Sequence, residues 1–222
     1  MKKKLLGVLV TGMLMLGVVG IAQATFIDWN TWTTNTNGTM GSVAVTFSAG
    51  GSMDNLVSNY PSYMPTTSFA DGVIVSNAPT SANGILQLSG GNGNTNTLLF
   101  SAPVVNPVMA IWSLGQGGIN TTFNFTNATP LFVAGGPSNE YAGQPITVSG
   151  NTVSGIEGNG TVEFLGTFSN ISWTNPVNEF WYGFNVGTAE SAPVPEPGTM
   201  MLLGLGMAGL AVYGKRRINK EA

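Results

Sequence analysis

The basic residues of this 222-residue chain all lie at its two ends, and this distribution constrains both its fold and its partners. Three lysines occupy positions 2–4 and four basic residues lie within 215–220, so no Lys, Arg or His occurs from Leu5 to Gly214. Carboxylates in that region cannot form salt bridges with a basic side chain. Each must be solvated, hydrogen-bonded by neutral donors, or bound to a metal ion. Because phosphate recognition needs Lys or Arg, we expect no nucleic-acid partner.

The chain also contains no histidine and no cysteine. Their absence excludes disulfides, Ser-His-Asp and Cys-His catalytic sites, zinc fingers, haem sites and iron–sulfur sites. Carboxylates are then the remaining ionisable groups suited to acid–base catalysis. The composition therefore favours a non-enzymatic protein without a cofactor.

Residues 1–24 have the pattern of a secretory signal peptide. Lysines at 2–4 precede an apolar run from Leu5 to about Ile21, and Ala22-Gln23-Ala24 forms a small-residue cleavage site before Thr25. We expect export through the Sec translocon and cleavage by signal peptidase. The alternative, a retained membrane helix, needs a longer apolar stretch and does not explain the Ala-x-Ala ending.

The C-terminal segment 193–222 has three parts in sequence: Pro195-Glu196-Pro197, an apolar run from Met200 to Tyr213, and Lys215-Arg216-Arg217. The prolines disfavour helix, which leaves an extended segment that a processing enzyme can bind. The apolar run predicts one short transmembrane helix of about 21 Å, against a hydrocarbon core of about 30 Å. Basic residues after it should stay cytoplasmic, which places the body across the inner membrane.

This order of parts resembles the PEP-CTERM sorting domain of Gram-negative bacteria over roughly residues 193–217. The resemblance implies recognition by an exosortase, a membrane protease or transpeptidase, which would remove the helix. The precursor would then span the membrane only transiently before delivery to the cell surface or the extracellular matrix. Proteins with this signal belong to bacteria that make exopolysaccharide and form biofilm or floc. A plain tail anchor is the alternative, whereas the Leu-Pro-x-Thr-Gly signal of sortases is absent.

The body, residues 25–192, has the short alternating apolar segments of β-strands. We predict strands in these ranges: Ser42–Ser48, Thr122–Thr126, Thr161–Phe168, Phe180–Val186, Val73–Ser76, Ile85–Leu88, Leu98–Phe100, Val108–Leu114, Ile146–Ser149 and Ile171–Thr174. Turn signals are predicted at Asn37-Gly38, Gly90–Gly93, Gly135–Pro137, Ser149–Asn151 and Gly158–Gly160. Ser89–Thr97 is predicted to be a loop and Gly187–Val194 a linker.

These strands predict an all-β fold, an antiparallel two-sheet sandwich of jelly-roll-like type. A closed barrel is the alternative. The chain would then have three parts: signal peptide 1–24, exported domain 25–192 and sorting signal 193–222.

Aromatic residues are the first candidates for a binding site, since their rings can stack on sugars. The best candidates are those that flank turn-like polar sequence: Trp29, Trp32, Tyr60 and Tyr63. Core packing is the alternative role, and we expect it for Trp112 and Tyr182, which lie in apolar patterns. An exposed aromatic set would make a lectin-like site.

Carboxylates are the second candidates, because a glycoside hydrolase needs only two of them. Glu157 and Glu163 flank the predicted turn 158–160 and could approach one another, with Glu179 nearby. Calcium binding is an alternative role for a second set of acids, whose carboxylates could serve as ligands: Asp28, Asp54, Asp71 and Glu157. No Asp-x-Asp-x-Asp loop is present, so solvated acids remain the favoured interpretation and no metal site is assigned.

Together these features predict an exported, non-enzymatic protein of the cell surface or matrix, associated with exopolysaccharide. A carbohydrate-binding module, with or without calcium, is the alternative from a different functional class. A carboxylate-pair glycosidase is a third hypothesis.

Trypsin should find no cleavage site in the mature protein, because every Lys and Arg lies in the two predicted signals. Digestion of the denatured mature protein, followed by mass spectrometry, checks this without protection by the fold. We expect one undigested mass. Any tryptic fragment would show that one end of the precursor is retained.

Overall fold

A computed structural model of the chain describes residues 24–50, 53–57, 62–189, 203–207 and 210. The predicted signal peptide up to Gln23, Tyr60, the Pro195–Pro197 motif and the basic tail lie outside this part. The chain divides between Glu190 and Ser191 into two compact units. In the second unit, residues 203–207 and Leu210 are helical, and the rest of the predicted helix 200–213 is not described. No helix among the described residues has the length and hydropathy to span a bilayer.

Sixteen β-strands make up most of the described first unit, with short 3-10 helices at Thr66–Ser68 and Ser81–Asn83. The strands are β1 Ile27–Trp29, β2 Thr31–Trp32, β3 Asn37–Met40, β4 Val43–Ser48, β5 Met53–Val57, β6 Ile85–Leu88, β7 Asn92–Val105, β8 Val108–Leu114, β9 Thr121–Phe125, β10 Pro130–Gly135, β11 Gln144–Pro145, β12 Thr147–Ser149, β13 Thr152–Gly155, β14 Gly158–Phe164, β15 Thr167–Asn175 and β16 Tyr182–Ala189.

The strands form two eight-stranded sheets. The covered sheet has the order β10-β14-β8-β16-β6-β5, with β1 added to β16 and β11 to β14. The exposed sheet has the order β12-β13-β9-β15-β7-β4-β3-β2. Every described strand pair is antiparallel except β11 with β14. The predicted all-β architecture of two antiparallel sheets is confirmed, and almost no helix is present among the described residues.

The main core lies between the two sheets and is built on aromatic rings. Trp173 of the exposed sheet stacks on Phe47 and Phe123, with centroid distances of 5.9 and 5.6 Å. Phe184 of the covered sheet meets the Trp173 ring edge-on at 5.2 Å. Offset and edge-on pairs of this kind add to the stabilisation from burial. The two sheets are therefore joined as a sandwich by ring contacts at their centre.

A second core covers the opposite face of the covered sheet. Residues 62–84 lie over this face, and Phe69 and Val75 pack there with Trp112 of β8. Thr161 of β14 donates a hydrogen bond from Oγ1 to the carbonyl of Phe69, at 2.7 Å. A strand that is buried on both faces has a continuous run of apolar residues in its sequence. This explains why all seven residues of β8 are buried.

The exposed sheet has one outer face that carries neutral polar side chains. Along β4 the residues alternate between buried Val45 and Phe47 and exposed Thr46 and Ser48. Hydroxyl groups also pair across strands, as Thr147 with Ser154 at 2.8 Å. The high Thr, Ser and Asn content of the body reflects this face.

Several local predictions from the sequence were wrong. Asn37-Gly38 begins β3 and Gly158–Gly160 begins β14, so neither is a turn. Glycine at 160 serves close packing instead, because a Cβ there would overlap the carbonyl oxygen of Ala134. Most of the predicted loop 89–97 lies in β7, and the predicted linker from Gly187 is still β16 as far as Ala189. The predicted strand Val73–Ser76 contributes only a bridge from Val75 to Thr25.

Replacing Phe184 with alanine should strongly destabilise the body, because its ring contacts Trp32, Phe47 and Trp173. We expect a loss of about 3–5 kcal/mol in the free energy of unfolding, measured by chemical denaturation. Phe180→Ala removes the same atoms from a ring that is 65% exposed, and should cost less than about 0.5 kcal/mol. Equal losses in the two variants would contradict the assigned core.

Candidate functional site

The aromatic residues predicted from the sequence to bind sugar are mostly buried. Trp29, Trp32 and Tyr63 are 4%, 5% and 4% exposed, so the prediction that they are accessible was wrong. Trp29 and Tyr63 belong to the core over the covered sheet, and Trp32 packs edge-on against Phe184 at 6.0 Å. Their rings cannot stack on a ligand. Tyr60, the fourth candidate, lies outside the described residues.

Trp112 and Tyr182, which the sequence predicted to be core residues, do lie in the core. Trp112 and Tyr182 are fully buried, as their apolar sequence patterns predicted. Trp112 belongs to the core over the covered sheet, and Tyr182 belongs to the core between the sheets.

The predicted pairing of Glu157 with Glu163 is also wrong. Because residues 158–160 are strand, about 20 Å of extended chain separates these two carboxylates. Glu163 lies between Leu131 of β10 and Val108 of β8 in the sheet. Partial burial, and to a lesser extent the charge of Asp71, raise its pKa. Glu157 instead lies near Glu179, for which the sequence predicted only a nearby position.

The site forms where β8 ends and its antiparallel neighbours β14 and β16 begin. Loops before and after these strand ends line an open cavity of about 220 Å³. It is lined by Ser113, Gln116, Tyr141, Glu157, Glu179, Phe180 and Trp181. We call it the β8-end cavity. It combines carboxylates, a hydroxyl group and aromatic rings in one place.

Ser113 and Glu157 form a hydrogen-bonded pair in the cavity wall. The Ser113 hydroxyl donates to Glu157 Oε2 at 2.6 Å, and the Ser113 amide donates to Asn159 Oδ1 at 2.8 Å. Asn159 in turn donates from Nδ2 to the carbonyl of Glu157, at 2.8 Å. The buried Asn159 side chain therefore fixes the backbone of both residues.

Backbone strain is concentrated in this cavity. Five non-glycine residues in the described part of the chain have positive φ, and three of them line the cavity: Ser113, Glu157 and Trp181, with φ of 55°, 54° and 76°. Positive φ is unfavourable for residues with a Cβ, and such residues cluster at functional sites. The concentration of positive-φ residues therefore marks the β8-end cavity as the candidate functional site.

Glu179 contributes a buried carboxyl group to the cavity. Its side chain is 1% exposed, and its Oε2 accepts a hydrogen bond from the Gly115 amide at 2.7 Å. Burial is the main cause that raises the pKa of Glu179 from 4.5 to about 7, and the charge of Glu157 adds to it. Hydrogen bonds from Gly115 and Thr121 oppose the rise. The carboxyl group therefore changes charge near neutral pH.

Three exposed aromatic rings line the same cavity. Trp181 and Phe180 are 49% and 65% exposed, and Tyr141 packs against the buried Trp112 at 5.6 Å. Trp181 is the one tryptophan with an accessible ring among the five that the structure describes. Exposed rings beside hydrogen-bonding groups are typical of sites that bind amphipathic ligands such as sugars.

A larger cavity of about 530 Å³ lies elsewhere, against loop 126–129 and the exposed side chains of Leu131 and Leu165. None of its described lining residues is ionisable. The asparagines there already bond to their surroundings, since Asn127 donates to Asn170 Oδ1 at 2.7 Å and Asn151 to the carbonyl of Phe125. We therefore place the functional site in the smaller cavity.

The acids named as calcium ligands are not brought together among the side chains that the structure describes. No group of three metal-ligating side chains occurs within the described ranges. Asp71 Oδ1 accepts hydrogen bonds from the amides of Val73, Ile74 and Val75, at 3.1, 2.9 and 2.8 Å, and so stabilises its own loop. Asp28 lies on β1 and Glu157 before β14, and the side chain of Asp54 is not described.

The carboxyl group of Glu179 should titrate with a midpoint of about 7. In the Glu157→Gln variant the midpoint should fall, because the like charge is removed, yet stay above 4.5 because burial is the larger cause. NMR titration of the side-chain carboxyl carbons measures both values. A midpoint near 4.5 in the unsubstituted protein would contradict the assigned environment.

The raised pKa of Glu179 also makes the stability of the folded chain depend on pH. A pKa that is higher in the folded chain contributes stability that is present below pH 4.5 and is lost as the pH rises through about 7. Glu179→Gln should therefore reduce the fall in unfolding free energy across this window.

Comparison with known proteins identifies the C-terminal segment. No curated protein and no solved structure matches the chain. The family model described as the PEP-CTERM protein-sorting motif matches residues 193–217. The resemblance found at Pro195-Glu196-Pro197 is thereby confirmed. The chain carries the PEP-CTERM protein-sorting motif, which implies an exported protein that an exosortase processes.

Proposed function

We propose that this chain is an exported saccharide-binding protein, without enzymatic activity, that acts at the cell surface or in the extracellular matrix. The observation that carries the proposal is the β8-end cavity, where the exposed rings of Trp181 and Phe180 lie with the Glu157 carboxylate. The body would bind exopolysaccharide of the biofilm matrix that surrounds the producing cell.

The terminal segments support this location. The sorting motif at 193–217 implies exosortase processing, and the pattern of residues 1–24 is that of a signal peptide. Export would use the Sec translocon and signal peptidase, with residues 200–213 in the inner membrane until the exosortase acts. The body between them has no Lys or Arg, so it has no electrostatic attraction to anionic lipid headgroups. This favours a place in the matrix after processing.

The chemistry of the cavity suits a sugar ring. Aromatic faces pack against the apolar C–H face of a pyranose, and carboxylates accept hydrogen bonds from its hydroxyl groups. Glu157 has acceptor capacity beyond the one bond from Ser113. The site therefore offers both a stacking surface and acceptors that orient the ring.

The order in which the chain crosses between sheets supports a jelly-roll-like fold. From β6 to β10 each successive strand lies in the other sheet. Sandwiches of this type occur in lectin domains.

A carboxylate-pair glycosidase is the second candidate. Glu157 and Glu179 line one cavity, and a pKa near 7 is what a general acid needs. Binding is the better proposal because the Glu179 side chain is 1% exposed and its Oε2 is held by the Gly115 amide. A glycosidic oxygen could not reach it without rearrangement of the loop.

Trp181→Asn should weaken saccharide binding by about tenfold, or about 1.4 kcal/mol. Asparagine is chosen because it tolerates the positive φ of this position. Calorimetry with the processed protein and oligosaccharides of matrix polymers measures the change. Phe132→Ala is the matched control, since this ring is exposed on β10 outside the cavity.

Binding that is equal in Trp181→Asn and the parent protein would contradict the proposal, as would no binding at all. If the parent protein instead shortens the oligosaccharides in the same incubations, and neither Glu157→Gln nor Glu179→Gln does, the glycosidase would be established.

The sorting motif should determine the fate of the precursor. In cells with an active exosortase, we expect the mature protein to have lost the C-terminal helix and to be recovered outside the inner membrane. Replacing Pro195, Glu196 and Pro197 with alanine should leave a longer protein in that membrane. Intact mass and cell fractionation compare the two, and identical masses would refute processing at this motif.

A further inference from the structure

The charge of the β8-end cavity suggests which saccharides it selects. Its two acidic side chains, Glu157 and Glu179, come within electrostatic range of each other, since the charge of one raises the pKa of the other. No Lys, Arg or His exists between Leu5 and Gly214 to compensate them. A positive partner for these carboxylates must therefore come from the ligand.

The absence of basic side chains between Leu5 and Gly214 also disfavours acidic ligands. A uronic acid or a sulfated sugar would bring negative charge to a site with no basic side chain to pair with it. Like charges brought together at close range cost free energy, and the cost rises where water is excluded. A saccharide with carboxylate or sulfate groups is the wrong charge for this cavity.

The aromatic rings favour an organic cation over a bare metal ion. Calcium takes six to eight oxygen ligands, whereas the structure groups no three metal-ligating side chains among its described residues. An ammonium group has three N–H donors, and the cavity offers the Glu157 carboxylate and the Ser113 hydroxyl as acceptors. The buried Glu179 carboxyl group contributes negative charge but no accessible acceptor. The exposed faces of Trp181 and Phe180 add cation–π attraction.

We propose that the β8-end cavity selects saccharides that carry a free amino group, such as deacetylated hexosamine units, over neutral, acetylated and acidic ones. This inference rests on the proposed saccharide-binding function. The ammonium group lies against Glu157, and the sugar ring stacks on the neighbouring aromatic side chains. A bound ammonium also stabilises the charged form of Glu179, so the amino sugar lowers the pKa of that carboxyl group whereas a neutral sugar does not.

Three ligands of one linkage and length test the proposal. Four-residue β-1,4 chains of glucosamine, N-acetylglucosamine and glucose differ only in the group at C2, which is an amine, an acetamide or a hydroxyl. Calorimetry with the processed protein at low salt should show binding of the amine form at least about tenfold tighter than the other two. A uronic-acid tetramer should not bind.

Matched variants separate a site from general attraction between an acidic protein and a cation. Glu157→Gln should abolish the preference for the amine form while keeping binding of the glucose chain, since the Gln side chain can still accept from Ser113. Glu163→Gln removes one charge outside the cavity and should leave the preference unchanged. Equal losses in the two variants would overturn the proposal.

The outcomes distinguish selection of the amine form from saccharide binding in general. If all three chains bind equally and Trp181→Asn weakens each, saccharide binding stands and selection of the amine is wrong. If none of the chains binds, both proposals fail.

Discussion

The lack of any positive side chain between Leu5 and Gly214 is the constraint on which the structure depends. Carboxylates in the body rely on neutral donors, and the described ones show how. Asp71 is held by three backbone amides, Glu157 by the Ser113 hydroxyl and Glu179 by the Gly115 amide. Hydrogen bonds of this kind satisfy the oxygens but do not cancel the charge. The charge that remains in the β8-end cavity is what makes the cavity chemically distinct.

Buried asparagine side chains connect parts of the fold that charged pairs join in other proteins. Asn185 donates to the carbonyl oxygens of Asn30 and Gly84, over 100 residues away. Asn96 and Asn175 bond side chain to side chain at 2.6 Å between β7 and β15. A neutral amide can satisfy backbone groups in the interior without the desolvation cost of an ion. The sandwich is thus stabilised by ring packing at its centre and by amide contacts around it.

The sequence predicted the fold better than it predicted the site. Strands Ile85–Leu88 and Val108–Leu114 match their predicted bounds, and β4 begins one residue after its predicted start at Ser42, because apolar alternation and apolar runs report burial directly. Trp29 and Trp32 were predicted to be exposed because polar residues flank them. A local pattern does not reveal that residues 62–84 and the facing sheet cover these rings.

The β8-end cavity could not be found from the sequence because it joins four separate chain segments. Ser113, Glu157 and Trp181 meet only since β14 and β16 both pair with β8, and strand pairing is not visible in one sequence. Glycines 158 and 160 gave a misleading signal, because glycine serves close backbone packing as well as turns. The one signal available was the run Glu179-Phe180-Trp181, an acid followed by two aromatic residues directly before a strand.

Quenching of tryptophan fluorescence by acrylamide tests the central claim most directly, because Trp181 is the one exposed indole of the five described. A neutral quencher avoids attraction to or repulsion from the acidic body. We expect one quenchable tryptophan in the processed protein, and saturating glucosamine tetramer should protect it. A quenchable fraction that stays unchanged when the ligand is bound would show that the β8-end cavity is not the binding site.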